Sequence, residues 1–184
     1  MSINQSINMN EQKEIRIALM GESGCGKTTF ISKWKDGIFK SEYVATALDE
    51  TAVSDLSFHV RTDMLNRSII SRIDAEVFEL AGWAGTEYQC RDPQGIIIMG
   101  TKIEQMASYF RSLNVKHRSN VVFVLSKIDT YNTTLISDYI FQLKKLIPVH
   151  YPCQYTYISS LCDINVNEPF LCLLKRLYGS DVIH

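Results

Sequence analysis

The sequence lacks the long apolar run that a membrane-spanning helix requires. Such a helix takes about 18–20 consecutive apolar residues, whereas the longest runs here, Ile96–Met99 and Val121–Leu125, have the length of buried strands. Residues 1–10 contain neither the basic nor the apolar segment of a signal peptide. Ser2 excludes N-myristoylation, and residues 181–184 form no prenylation motif. We therefore expect a soluble protein without a membrane anchor.

The cysteines and histidines lack the spacing of a disulfide framework or a metal site. The five cysteines are odd in number and widely spaced, and no Cys-x-x-Cys occurs. This pattern is typical of reduced thiols in a reducing compartment. The four histidines are scattered, and none lies at metal-ligand spacing from a cysteine or an acid. The sequence therefore predicts no zinc site.

An excess of charge of either sign is also absent. The chain of 184 residues has 20 acidic and 19 basic side chains, a net charge of −1. This balance argues against binding nucleic acid or an acidic membrane through bulk positive charge. The length and the 46% hydrophobic content fit one globular domain. We expect a disordered tail at residues 1–13 and a domain over residues 14–180.

Short apolar runs alternate with helical patterns along the chain. Strands are predicted near residues 15–19, 56–60, 73–77, 95–100, 121–125 and 155–159, and helices at 28–36, 102–114, 135–147 and after Asn167. The polar residues 63–66 predict a hairpin between the second and third strands. This order predicts an α/β fold with a mixed, mostly parallel six-stranded sheet and helices on both faces.

A glycine-punctuated loop joins the first predicted strand to the first predicted helix. The segment Gly21-Glu-Ser-Gly-Cys-Gly26-Lys27-Thr28 fits G-x-x-x-x-G-K-[ST], the phosphate-binding loop of P-loop nucleoside triphosphatases. Glycines let backbone amides converge on phosphate oxygens, and the helix N-terminus favours negative charge. The predicted phosphate-binding residues here are Gly21, Glu22, Ser23, Gly24, Cys25, Gly26, Lys27, Thr28 and Thr29. We expect Lys27 to reach the β and γ phosphates and the Thr28 hydroxyl to bind Mg²⁺.

The Cys25 thiol within this loop has two interpretations. Its position at a helix N-terminus near Lys27 would lower its pKa and make it reactive. Alternatively, only its backbone serves the loop, and the thiol has no chemical part. We favour the second interpretation.

The base of the nucleotide is predicted from the residues after the strand at 121–125. Ser126-Lys127-Ile128-Asp129 resembles the guanine-reading Asn-Lys-x-Asp of GTP-binding proteins. A carboxylate at Asp129 can accept from the ring N–H and the exocyclic amino group of guanine together. Adenine offers no such pair and would leave the charge unpaired. The stem of Lys127 can lie along the base, so the sequence favours guanine over adenine.

Together these motifs make the chain similar to the small GTPases of the Ras superfamily, and to the Ran branch in particular, over about residues 14–180. Gly26-Lys-Thr-Thr-Phe30 resembles the Ran-type phosphate loop, and Tyr43-Val-Ala-Thr46 the Ran-type first switch. Ile158-Ser-Ser160 and Glu168-Pro-Phe-Leu171 are similar to the base-contacting loop and the helix after it. The resemblance implies GTP or GDP with Mg²⁺ as cofactors.

The resemblance also assigns expected roles to further residues. Thr46 corresponds to the threonine that closes on Mg²⁺ and the γ-phosphate, and Gly82 to the glycine whose amide meets that phosphate. Glu79 is expected in the outer shell of Mg²⁺. The base-contacting loop implies guanine contacts at Ser159, Ser160 and Leu161, beside Ser126, Lys127 and Asp129.

Three positions depart from the family pattern. The second switch reads Glu79-Leu80-Ala81-Gly82-Trp83 where Asp-x-x-Gly-Gln is usual. Glu79 is one methylene longer than aspartate, which changes its reach to Mg²⁺. Trp83 has one donor and no acceptor, so it cannot orient the attacking water as glutamine does. Ser126 is too short to bridge the base to the phosphate loop, a loss of about 0.5–1.5 kcal/mol. Catalysis by Lys27, Gly82 and Trp83 is therefore expected to be slow.

Two functions remain open from the sequence. One is a guanine-nucleotide-dependent binding switch with weak or absent hydrolysis. The other is a pseudo-GTPase that keeps the fold without switching and mimics a Ran-type protein. A third interpretation, a P-loop kinase of small molecules, is disfavoured by Asp129 and by the lack of a lid-arginine pattern. The resemblance implies a monomer in the cytoplasm, the nucleus or both, which binds protein partners through its switches, among them transport receptors or regulators of Ran-type GTPases.

Overall fold

The helices and strands lie close to the positions that the apolar pattern predicts. The computed structural model describes residues 13–39, 52–64, 67–80, 91–179 and 181–183. The strands are β1 (Lys13–Gly21), β2 (Ala52–Met64), β3 (Arg67–Glu79), β4 (Gly95–Gly100), β5 (Val121–Leu125), β6 (Gln154–Tyr157) and β7 (Asp181–Ile183). The helices are α1 (Lys27–Asp36), α2 (Ile103–Ser112), α3 (Thr133–Leu146) and α4 (Glu168–Tyr178). Residues 1–12 of the predicted tail lie outside the described residues.

The seven described strands form one mixed sheet in the order β6-β5-β4-β1-β3-β2-β7. Neighbours from β6 to β3 pair in parallel, whereas β2 is antiparallel to both β3 and β7. The predicted α/β fold with a mostly parallel sheet is therefore confirmed. The six predicted strands are extended at one edge by β7, which lies beyond residue 180. At the other boundary, β1 begins at Lys13, one residue before the predicted domain.

The predicted hairpin is formed by β2 and β3, which pair from Ala52–Glu79 at the open end to Met64–Arg67 at the turn. Leu56 and Phe58 on β2 and Ala75 and Val77 on β3 are buried on the same face. Since side chains alternate between the faces of a strand, this apolar set fixes the register of the pair. The hairpin thus positions Glu79, which ends β3, beside β1.

Helices cover both faces of the sheet, as predicted. Phe30 of α1 and Phe170 of α4 pack on one face, where their rings stack with centroids 5.2 Å apart. Phe110 of α2 and Leu143 of α3 pack on the other face. Asn167 precedes α4 as predicted, but its side chain makes no capping hydrogen bond, and Pro169 occupies the first turn instead. In the described ranges, no helix has the length and apolarity to cross a bilayer.

The parallel strands bring their carboxyl ends to one edge of the sheet. β1 ends at Gly21, β4 at Gly100, β5 at Leu125 and β3 at Glu79. Because β3 and β4 flank β1 on opposite sides, the order of the strands reverses at the end of β1, the usual ligand position in such sheets. The predicted phosphate-binding and base-reading segments both begin at this edge.

Candidate nucleotide-binding site

Glycine geometry shapes the loop between β1 and α1. A Cβ at Gly21 would overlap the carbonyl oxygen of Met99, so no larger residue fits beside β4. Gly24 (φ +75°) and Gly26 (φ +96°) adopt backbone conformations that L side chains rarely adopt. The loop therefore has the glycine-dependent backbone that phosphate-binding nests require.

The Lys27 side chain folds back into this loop. It is buried, and its Nζ donates hydrogen bonds to the carbonyl oxygens of Gly21 at 2.9 Å and Glu22 at 3.1 Å. These two contacts fix the ammonium group at the end of β1. A positive charge held there can meet the phosphates of a nucleotide without first ordering a long side chain.

The remaining predicted phosphate-binding residues of this loop have different environments. Ser23 is exposed, and Thr29 is half-buried in the first turn of α1. The backbone N–H of Cys25 donates to the carbonyl oxygen of Glu22 at 3.3 Å. The side chain of Glu22 turns towards Thr101, which follows β4. The roles of these residues towards phosphate stay predictions.

The interpretation in which a lowered pKa makes the Cys25 thiol reactive is wrong. Cys25 is buried, and its Sγ donates to the carbonyl oxygen of Met99 at 3.4 Å. Burial raises the pKa of the thiol to about 11, and the charge of Lys27 opposes this only in part. The thiol is therefore a buried neutral group, which agrees with the interpretation that only its backbone serves the loop.

Thr28 and Glu79 meet across the start of α1. The Thr28 hydroxyl donates a hydrogen bond of 2.7 Å to Glu79 Oε2, which is buried at the end of β3. Burial raises the pKa of Glu79, while the hydrogen bond from Thr28 and the charge of Lys27 lower it. With its proton directed to Glu79, the Thr28 oxygen keeps its lone pairs for a cation. The Glu79 carboxylate thus contacts Thr28 directly, and the pair fits an Mg²⁺ ion.

The base-reading segment forms a tight turn after β5. Lys127 adopts a left-handed conformation (φ +56°), and residues 128–130 form a 3-10 turn. Asp129 is exposed, and its Oδ1 accepts a hydrogen bond of 2.6 Å from the Ser159 hydroxyl. Ser159 Oγ in turn accepts from the backbone N–H of Cys162 at 3.0 Å. The turn and the loop after β6 therefore meet, with the Asp129 carboxylate oriented by a buried serine.

The other two residues of the base-contacting loop lie nearer to solvent. Ser160 is half-buried, and the Leu161 side chain is 59% exposed. Paired backbone hydrogen bonds between Ser159 and Ile164 close this loop. Any contact of Leu161 with a base would therefore involve its backbone or an exposed side chain.

Ser126 is held away from the solvent side of the site. The residue is 1% exposed, and both its backbone N–H and its hydroxyl donate to the carbonyl oxygen of Gly100, at 2.9 Å and 3.3 Å. The hydroxyl is thus bonded to the end of β4. This contact agrees with the expectation that serine here does not link the base to the phosphate loop.

Three predicted residues of the switches, Thr46, Gly82 and Trp83, lie outside the described residues. Two residues at the same sheet edge were missed from the sequence, Thr101 and Tyr131. Thr101 follows β4 directly and contacts Glu22, and the Tyr131 hydroxyl donates to the Thr101 carbonyl oxygen at 2.8 Å. The signal available for Thr101 was its position after a buried parallel strand.

Comparison with protein-family models agrees with this geometry. The model of the Ras family matches residues 16–179. The match spans β1 to α4 and so contains the phosphate loop, Glu79 and the turn at Asp129. This chain belongs to the Ras family, whose members are small GTP-binding switch proteins.

Proposed function

We propose that this protein is a Ran-like, guanine-nucleotide-dependent binding switch with weak or absent intrinsic GTP hydrolysis. The observation that carries the proposal is the presence of two oriented groups. Lys27 donates hydrogen bonds to the carbonyl oxygens of Gly21 and Glu22, and the Asp129 carboxylate is oriented by Ser159. The two groups supply the charge for a polyphosphate and the acceptor for guanine. Both follow strands of the same sheet edge.

The base selectivity of the proposal follows from the Asp129 carboxylate. The Ser159 hydroxyl satisfies part of Oδ1, which leaves Oδ2 and the second lone pair of Oδ1 as acceptors. The ring N–H and amino group of guanine are two adjacent donors that match this pair. Adenine offers no such pair, so the remaining acceptor positions of Asp129 would lose water without gaining a donor, at a cost of about 1–3 kcal/mol.

Three residues of the chain determine what a bound nucleotide would meet at its phosphates. Lys27 supplies positive charge at the phosphate loop, and the lone pairs of Thr28 Oγ1 can ligate Mg²⁺ while its hydroxyl hydrogen is donated to Glu79. The metal ion, when bound, neutralises charge on the phosphate oxygens. Slow hydrolysis is inferred from Trp83, because an indole cannot accept a hydrogen bond from the attacking water.

The Ran-like assignment is inferred from short motifs. Tyr43-Val-Ala-Thr46 and Glu168-Pro-Phe-Leu171 support it, and the second of these begins α4. On this assignment the partners are transport receptors or regulators of Ran-type GTPases, and the protein acts in the cytoplasm, the nucleus or both. Binding of such a receptor to the GTP-loaded protein but not to the GDP-loaded protein would support this part.

A substitution at Asp129 tests the guanine contact directly. The side-chain amide in Asp129→Asn presents one donor and one acceptor, which no longer match guanine but do match xanthine, whose amino group is replaced by a carbonyl. We expect the variant to lose at least about tenfold in GDP affinity and to gain affinity for xanthosine diphosphate, since a hydrogen bond to a charged group contributes about 1.5–3 kcal/mol. The neighbouring exposed Thr130→Ser is the control. Equal loss for both nucleotides would contradict a direct contact.

The second candidate is a pseudo-GTPase that does not switch. The Ser126 hydroxyl favours it, since it is bonded to Gly100, as do the departures at Glu79 and Trp83. Melting curves separate the two candidates. The switch predicts a higher melting temperature with GTP and Mg²⁺ than without, because a ligand that binds only the folded state stabilises it. An unchanged melting temperature would favour the pseudo-GTPase.

A further inference from the structure

Glu22 belongs to the phosphate loop, but its carboxylate is hydrogen-bonded to the segment that follows β4. Its Oε1 accepts from the backbone N–H of Thr101 at 2.9 Å and also from the Thr101 hydroxyl. The backbone carbonyl of the same residue accepts from Lys27 Nζ. Glu22 therefore joins the lysine of the phosphate loop to the segment after β4. The two donors also keep a negative charge directed away from the place proposed for phosphate.

The contact continues from Thr101 to the base-reading turn. The Tyr131 hydroxyl donates to the carbonyl oxygen of Thr101 at 2.8 Å. Tyr131 ends the 3-10 turn that contains Asp129, and its backbone N–H bonds to the carbonyl oxygen of Ile128. Its ring packs edge-on against Tyr139 of α3, with centroids 5.2 Å apart. Burial raises the pKa of Tyr131, so the hydroxyl stays a donor at neutral pH.

We infer that Glu22, Thr101 and Tyr131 form a relay of positioning residues that sets the base-reading turn relative to the phosphate loop. The relay links the base-reading turn to the phosphate loop, which the family's asparagine does where this chain has Ser126. Here the Ser126 hydroxyl is bonded to Gly100 and supplies no such link. This inference rests on the proposed guanine-nucleotide site and names how that site is held together.

The hydrogen bonds of the relay suit a coupling role. Each joins residues far apart in sequence, 79 positions from Glu22 to Thr101 and 30 from Thr101 to Tyr131. Glu22 and Thr101 are half-buried, where a charge-assisted hydrogen bond is less screened than at the surface. Because Tyr131 is only two positions from Asp129, a displaced Tyr131 shifts the carboxylate that would read the base.

The test measures base selectivity after changes on the phosphate side. Inosine diphosphate lacks the exocyclic amino group of guanine and keeps both phosphates, so the ratio of GDP to IDP affinity reports only how well Asp129 is positioned. Glu22→Ala removes the first contact and Tyr131→Phe the last. We expect each to lower the ratio by about three- to tenfold, the value of one lost hydrogen bond. The control Tyr155→Phe removes a hydroxyl from β6 outside the relay and should leave the ratio unchanged.

A double variant tests whether the contacts act as one unit. If Glu22 and Tyr131 act through Thr101, the Glu22→Ala/Tyr131→Phe protein loses no more selectivity than the worse single variant, because members of one hydrogen-bonded network are not additive. In a Ser126→Asn background, which restores the family's link, the effect of Glu22→Ala on the ratio should shrink. Additive losses, or an undiminished effect in that background, would contradict the relay.

The outcomes separate this inference from the proposed function. A wild-type protein that prefers GDP to IDP, with variants that keep the same ratio, would overturn the relay and leave the guanine site intact. Equal loss of GDP and IDP affinity in Glu22→Ala would assign Glu22 to loop stability alone and would also overturn the relay. A wild-type protein with no preference between GDP and IDP would overturn the guanine site and, with it, the relay.

Discussion

The Cys25 thiol lies inside the phosphate loop, 3.4 Å from the carbonyl oxygen of Met99. Since burial raises its pKa to about 11, the thiol stays protonated at neutral pH. We predict that Cys25 reacts with iodoacetamide far more slowly than the exposed Cys162 in the folded protein. Peptide mass mapping after timed alkylation measures both rates in one sample. Labelling of Cys25 as fast as Cys162 would contradict a buried neutral thiol.

Trp83 is the residue at which the proposed slow hydrolysis is most easily tested. A glutamine there supplies both a donor and an acceptor for the attacking water, whereas the indole supplies one donor. We predict that Trp83→Gln raises the single-turnover rate of GTP hydrolysis by about 10²-fold, the lower end of what a positioned acid–base group contributes. Trp83→Phe, which adds no acceptor, is the control. An unchanged rate in Trp83→Gln would contradict this assignment and would indicate that Glu79 causes the slow hydrolysis.

Two site residues illustrate what single positions in the sequence allow. Gly21 and Lys27 were predictable because their chemistry is local: one needs a backbone without Cβ, and the other folds back within six positions. For Ser126, the sequence predicted only that the contact between the base and the phosphate loop is lost, and not which group the hydroxyl contacts instead. Its bond to Gly100 depends on β4 and β5 pairing in register, which no local pattern contains.

At the scale of elements, an aromatic cluster joins α1, α4 and β2. Phe170 of α4 is fully buried and contacts the rings of Phe30, Trp34 and Phe58, with centroids 5.2–5.4 Å away. We predict that Phe170→Ala lowers the free energy of unfolding by about 3–5 kcal/mol, because the cavity among these rings cannot collapse. Denaturant unfolding measures the change. Phe141→Ala, on the exposed face of α3, should cost less than about 1 kcal/mol. Equal costs would contradict the assigned core.

The short turn before β5 makes the stability of the fold depend on pH. His117 is buried there, with Nε2 at 3.6 Å from Asp92 Oδ1. Burial, and then the charge of Lys116, lower its pKa below the ordinary value of 6.5, while Asp92 opposes them. The folded state thus binds fewer protons than the unfolded chain as the pH falls. The contribution of His117 to stability is complete well above pH 6.5 and is lost as the pH falls through that value.

We therefore predict that the free energy of unfolding decreases between about pH 7.5 and pH 5, and that His117→Gln makes this decrease smaller. Asp92 does not interfere in this interval, since its own pKa is held below 3.8 by the hydrogen bond and charge of Lys116. Urea unfolding at several pH values measures the slope. The same slope in the wild type and in His117→Gln would contradict the assignment.

Elements with strong local signals were predictable, and those formed by tertiary pairing were not. Alternation at Ile15, Ile17 and Leu19 predicted β1, and the helix predicted over residues 28–36 ends at Gly37, which has a left-handed conformation. β7 has three residues, too few for a pattern, and it exists through its pairing with β2. Asn167 was a good candidate for a cap by residue type, but no capping hydrogen bond forms.

At the scale of the whole molecule, the site is built from segments that meet only because the strands are parallel. The phosphate loop and the turn at Asp129 were predicted separately from motifs, and the parallel pairing of β1, β4 and β5 brings both to one edge. The Thr101–Tyr131 contact between them was not predictable, because neither residue belongs to a motif. Residues outside a motif are brought to the site by tertiary packing, which no local sequence pattern predicts.

The net charge of −1 also has a different meaning once the site is known. The Lys27 ammonium is buried beside two carbonyl oxygens, and the Glu22 carboxylate is directed to Thr101. Local positive potential at the loop therefore does not depend on the total charge of the chain. The balance of acids and bases argues against binding a long polyanion and carries no information about a single nucleotide.

The central claim is that this chain selects guanine nucleotides through Asp129 and holds their phosphates at Lys27. The most direct measurement is displacement of a fluorescent GDP from the purified protein by unlabelled GTP and by ATP, with Mg²⁺ present. We predict displacement by GTP at concentrations at least about 100-fold lower than by ATP, since adenine lacks the two donors that face Asp129 and each hydrogen bond to a charged group contributes about 1.5–3 kcal/mol. Displacement by ATP as effective as by GTP would contradict the account.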